Sequence, residues 1–103
     1  MTRFVCATTL LTLGMVLCFP ARADLALATS KNCMSCHNID RKVVGPAYKD
    51  VAAKYRGDKT AAATLANKIM AGGGGVWGVV KMPANPQVSE AEAKKLAAWV
   101  LSQ

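Results

Sequence analysis

Two thiols and an imidazole stand together at Cys33-Met34-Ser35-Cys36-His37. Cysteines three positions apart, with a histidine directly after the second, form the attachment signature of a c-type haem. Each thiol can add across one vinyl group to make a thioether, and the imidazole then offers a neutral nitrogen to the iron. The cysteine pair alone would also serve zinc or thiol exchange. Structural zinc needs four ligands, and residues 24–103 hold no strong nitrogen or sulfur donor of that kind beyond Cys33, Cys36 and His37. A thioredoxin-like site sits beside a βαβ pattern, and none is visible in the sequence.

His37 is the only histidine of the chain, so a second axial ligand must be methionine, lysine or water. Met34 lies between the two thioether cysteines and cannot reach the far face of the ring. Met70 follows Ile69 inside a helical pattern, where packing is its natural role. Met82 sits in irregular chain directly before Pro83, and Pro83 and Pro86 stiffen that stretch. Position and chemistry favour Met82 as the second metal ligand over ordinary core filling. Lys81, after losing a proton, and an open five-coordinate iron stand as alternatives. A His37/Met82 pair closes the iron and points to one-electron transfer, the neutral thioether favouring the ferrous state. An exchangeable sixth position would instead mark a gas sensor or a small peroxidase.

The elements that must hold these groups read as helices. Asp24 is placed to cap a first helix through Leu25, Leu27 and Ala28 that runs toward Cys33. Val44-Gly45-Pro46 interrupts regular structure. Tyr48, Val51, Ala52 and Tyr55 recur at helical spacing, with Gly57 ending that segment. Thr60 is placed to cap a third helix carrying Ala61, Leu65 and Ile69, which stops at Gly72. Gly72 to Gly75 then form a tetrad, read either as a flexible turn or as backbone passing close to a flat ligand. Ser89 and Glu92 spell a capping box for a last helix that buries Ala93, Leu96, Trp99 and Val100. Four helical segments without a convincing strand predict an all-α domain.

Residues 1–23 read as a cleaved secretory signal peptide. Arg3 precedes an apolar run from Phe4 to Phe19, and Ala21-Arg22-Ala23 offers a cleavage site before Asp24. The run is shorter than the ~20 residues of a spanning helix, and Leu17 before Cys18 argues against a lipoprotein site. Cys6 and Cys18 thus read as apolar fillers of a discarded segment. What remains, residues 24–103, is one domain near the size where a protein-only core becomes marginal. Small exported domains compensate with several disulfides, and Cys33 and Cys36 are the only pair here. A large apolar cofactor held by two covalent links would fill that deficit. Without Arg3 and Arg22 the domain keeps eleven Lys and Arg against six Asp and Glu, a net charge of about +5. Such a surface suits acidic partners, and the scattered spread of its lysines is equally consistent with simple solubility. Its basic residues do not interleave with aromatics as in nucleic-acid binders.

With CxxCH at 33–37, Gly45-Pro46, Trp77-Gly78 and Met82-Pro83 in this order and spacing, the chain resembles the short bacterial class I cytochromes c. The likeness covers essentially all of residues 24–103. It implies a fold of about four helices around one covalent haem c, and a soluble, monomeric, periplasmic electron carrier rather than an enzyme. Implied partners are redox proteins such as a quinol–cytochrome c reductase, a nitrite reductase or a terminal oxidase. The resemblance also assigns roles to four residues. The Pro46 carbonyl accepts from the His37 ring, Trp77 donates to a propionate, Lys68 is a basic partner for the same region, and Asn85 bonds near the Met82 sulfur. Two departures stand out: Ala28 is small where an aromatic is often found, and one extra residue lies near Pro86-Gln87.

Overall fold

The computed structural model describes Gly14 and residues 20–103. Most of the expected signal peptide therefore lies outside the described residues. Four helices follow: α1 (Pro20–Ser30), α2 (Tyr48–Lys54), α3 (Ala61–Ala71) and α4 (Glu90–Leu101), with one 3-10 turn at Cys33–Ser35. The only strand-like pairing among the described residues is a single antiparallel bridge, Gly73 to Met82. The all-α expectation holds.

Helix α4 organises the core. Its capping box forms as the sequence predicts: Ser89 Oγ accepts from the Glu92 amide at 3.1 Å, and Glu92 Oε1 accepts from the Ser89 amide at 3.0 Å. Ala93, Leu96, Ala97, Trp99 and Val100 are buried along one face, which packs against α1, α2 and α3. Ala28 of α1 is fully buried in this core. The small side chain noted in the sequence lets the first and last helices approach closely.

The bonds from the Ser89 amide and from Lys31 hold the Glu92 carboxyl below its ordinary value of 4.5. As pH falls from just above that value, the unfolded chain therefore takes up the proton first. Stability is full above the ordinary value and drains away as pH drops through the depressed one. Glu92→Gln should flatten this acid limb of the unfolding midpoint, measured by denaturant titration at a series of pH values.

Two helix starts differ from expectation. Helix α1 begins at Pro20 rather than after Asp24, because proline is preorganised for a first helical position and the residues behind it are good helix formers. Asp24 instead lies on α1 itself, only 8% exposed, with Lys95 Nζ of α4 at 3.6 Å from Oδ1. Removal of residues 1–23 would return it to the chain terminus. At α3, Thr60 holds the N-cap position without capping through its side chain. Asp58 does that local work, its Oδ1 accepting from both the Thr60 amide and hydroxyl at 2.8 Å. Those bonds keep the Asp58 carboxyl below its ordinary range. The far end of α3 behaves as predicted, since Gly72 takes φ 73° and ψ −174°, a conformation open essentially to glycine alone.

Candidate haem site

The cysteine pair is presented by local chain geometry. Asn32 adopts the left-handed conformation (φ 66°, ψ 15°), which asparagine tolerates, and tips the chain from α1 into the tight turn at Cys33–Ser35. The Cys36 and His37 amides both donate to the Cys33 carbonyl, at 3.2 and 3.0 Å. One turn thus brings Cys33, Cys36 and His37 to the wall of one cleft. Burial pushes the Cys33 thiol above its ordinary range.

The following loop doubles back onto His37. Val44 and Gly45 amides donate to the Cys36 carbonyl at 3.2 and 2.8 Å, and the Tyr48 amide donates to the Asn38 carbonyl at 2.9 Å. This return places the Pro46 carbonyl oxygen 2.8 Å from His37 Nδ1. A carbonyl only accepts, so Nδ1 carries the proton and donates, leaving Nε2 as a free electron-pair donor. Two more groups pin the ring. A Cβ on Gly45 would fall 2.5 Å from His37 Cε1, so the imidazole rests directly on glycine backbone. The Tyr48 ring stacks on it at 4.9 Å and 20°, itself held edge-on by Trp99 at 5.3 Å. Burial pushes the Tyr48 phenol well up, so it stays neutral.

Met82 enters the same cleft from the long loop after α3. Its backbone pairs with Gly73 in both directions, Met82 N to Gly73 O at 2.8 Å and Gly73 N to Met82 O at 3.0 Å. Gly72 lies so close to this strand that a Cβ would meet the Met82 carbonyl oxygen at 2.5 Å. The first glycine of the tetrad therefore answers to approaching backbone, while Gly73 and Gly74 line the cleft itself. Both readings of the tetrad were too simple, because its members do different jobs.

The inner wall of the cleft is apolar: Val51, Leu65, Ile69, Leu96 and Val100. Two thiols and an imidazole on one segment, a thioether on another, and a wide apolar slot suit a flat, covalently held tetrapyrrole. Lys68, Lys81 and the Trp77 indole are its polar or amphipathic edge groups, where ionised substituents of such a ring would find partners.

The Cytochrome c family model matches residues 25–103. The chain belongs to the cytochrome c family. As a cytochrome c it carries a covalent haem c on the Cys33–Cys36 pair, and it is an electron carrier rather than an enzyme. It is 54% identical to cytochrome c-552 of Nitrosomonas europaea over 82 residues, covering 80% of each chain. With cytochrome c-552 of Hydrogenobacter thermophilus it shares 58% identity over 81 residues, covering 78% of this chain and 81% of that one. The crystal structure of the wild-type Nitrosomonas europaea cytochrome c552 superposes with a TM-score of 0.74 at 52% identity, covering 76% of this chain and 96% of the other. These small class I relatives fix the fold.

Within this cytochrome, the cleft gathers Cys33, Cys36, His37, Pro46, Lys68, Trp77 and Met82. Trp77 is 40% exposed, with Lys54 Nζ 5.7 Å from its ring centroid. Asn85 sits three residues beyond Met82, in the chain that follows Pro83. It does not line the cleft; its Nδ2 donates to the Ile69 carbonyl at 2.8 Å and the Pro83 carbonyl at 3.4 Å. The chain turns after Pro83 and brings Asn85 against the end of α3. Sequence reasoning missed Gly45 and Tyr48 as supports of His37. Gly45 beside Pro46 was a usable signal, whereas Tyr48 looked like an ordinary helix-face residue.

Proposed function

We propose that this cytochrome is an exported, periplasmic one-electron shuttle in which His37 and Met82 are the two axial ligands. The observation that carries this reading is the shared cleft. His37 has Nδ1 committed to Pro46, leaving Nε2 for a metal, and Met82 is the thioether on the same cleft, its backbone tied to Gly73. The haem, when bound, supplies a one-electron ferric–ferrous couple. The residues' task is to keep the same donors in both states. The Pro46 bond fixes the imidazole's orientation and raises its basicity. Trp77 and Lys68 are proposed to meet the propionates. The apolar inner wall excludes water.

Residues 1–23 are assigned as the leader and 24–103 as the working domain. Among the described residues no helix is long and apolar enough to cross a membrane. The docking face is assigned to the mouth of the cleft, where exposed Val44, Val76 and Val80 sit with Lys68 and Lys81, and Val79 nearby is 97% exposed. An apolar contact flanked by two lysines favours brief encounters with acidic redox partners. A quinol–cytochrome c reductase on one side and a nitrite reductase or terminal oxidase on the other fit that role.

Two measurements test the proposal. The exported protein should have the mass of residues 24–103 plus one haem. Carbon monoxide added to the reduced protein should leave its absorption spectrum unchanged on mixing, because both axial positions are filled. Rapid carbon monoxide binding would instead assign an exchangeable site and a sensor or peroxidase.

A further inference from the structure

We propose that Gln87 is a positioning residue for the sixth ligand, acting through a hydrogen-bonded strap that anchors the Met82 loop to the haem-attachment end of α1. The inference rests on Met82 being that ligand.

Gln87 and Lys31 hold each other reciprocally. Gln87 Nε2 donates to the Lys31 carbonyl at 3.2 Å, and Lys31 Nζ donates to the Gln87 carbonyl at 3.0 Å. Lys31 lies two residues before Cys33, so this clasp ties the loop to the segment that bears the haem thiols. The strap continues inward. Gln87 Nε2 also donates to Asn85 Oδ1 at 3.0 Å, and Asn85 Nδ2 donates to the Ile69 and Pro83 carbonyls. The Asn85 amide N–H reaches the Met70 carbonyl at 3.1 Å. Met82, next to Pro83, is thus held between the Gly73 bridge on one side and this chain of bonds on the other.

The orientation of each amide is dictated by its neighbours. Ile69 and Pro83 offer only carbonyl oxygens, so Asn85 must turn its NH2 to them and its Oδ1 to Gln87. Gln87 then faces two acceptors, Asn85 Oδ1 and the Lys31 carbonyl, which only its NH2 can satisfy. A carboxylate at this position would oppose two oxygens.

Most of these bonds are at the surface, so losing them should loosen the loop without unfolding the core. The experiment uses the haem-loaded protein and its Gln87→Ala, Gln87→Glu and Lys31→Met variants. Imidazole is added to the ferric protein and its rate of displacing the sixth ligand is followed optically. Gln87→Ala should raise that rate by about tenfold, the worth of one to two net hydrogen bonds, and Gln87→Glu by at least as much. Amide exchange should quicken at Met82 and Asn85 but not at Leu96, and Lys31→Met combined with Gln87→Ala should be less than additive. Unchanged rates and exchange in Gln87→Ala would overturn the strap. The ligation reading has its own check in the unsubstituted reduced protein, where a bound Met82 methyl gives a strongly ring-current-shifted proton resonance. Its absence would overturn the ligation, and the strap's role with it; its presence with unaltered Gln87→Ala kinetics overturns the strap alone.

Discussion

Met82→Ala should convert a closed iron into an open one. The reduced variant is expected to bind carbon monoxide promptly, and its reduction potential should fall by on the order of 0.1 V, part of the ~0.8 V span that axial ligands command. The sign follows from the neutral thioether, which favours the ferrous state more than water or hydroxide does. Of the two lysines on the cleft, Lys68 and Lys81, the one best placed to blur this result is Lys81, which directly precedes Met82. If Lys81 replaces the lost sulfur, carbon monoxide binding will be blocked at high pH and return as the amine gains a proton. Met82→Ala combined with Lys81→Ala then restores it. A spectrum and potential untouched by Met82→Ala would end the His37/Met82 model.

Gly45→Ala is expected to drive a methyl group directly into the His37 ring. The new Cβ would lie 2.5 Å from His37 Cε1, 2.9 Å from Nδ1 and 3.0 Å from Nε2. No flexible side-chain end is available to yield. The loop cannot retreat easily either, because the Gly45 amide is bonded to the Cys36 carbonyl at 2.8 Å and the next residue's carbonyl serves His37. The ring must tilt, straining the Pro46 bond and the Tyr48 stack. Overpacking of this kind costs about 1–3 kcal/mol, and loss of the supporting bond adds about 1 kcal/mol. Denaturant unfolding of the haem-loaded protein should show the loss, accompanied by a change in the iron's absorption. Gly57→Ala provides a contrast, for nothing lies within 4 Å of its added Cβ and only its left-handed backbone is penalised.

Much of this molecule could be read before its structure. The haem-attachment run is local, with all three of its groups within five residues, and the four helices declare themselves through apolar spacing and the Ser89–Glu92 box. What could not be read depends on distant contacts. Thr60 looked like a cap, but a carboxylate two residues earlier captured its amide and hydroxyl. Asp24 looked like a helix start until the residues before it proved able to extend the helix. The glycine tetrad was legible as a place needing room, yet whether backbone or ligand filled that room depended on where residues 82–84 return. The partners of Asn85 on α3 were hidden for the same reason, being remote in sequence. Tyr48 carried no signal of its role, since a helix face buries many tyrosines and only the fold decides which one meets an imidazole.

The two-bond bridge between Gly73 and Met82 has a consequence for how such a carrier can diversify. It fastens the neck of residues 74–81, so that a change at the outer tip of this lobe is buffered from the ligand at its base, although Gly74, Val76, Trp77, Val80 and Lys81 of the lobe line the cleft. Closing a somewhat longer lobe is cheap, about 0.6 kcal/mol for each doubling of length. Val79, 97% exposed and off the cleft, is thus free to drift toward new partners while the iron's surroundings stay fixed. Partner choice and redox chemistry become separately heritable traits of one short chain.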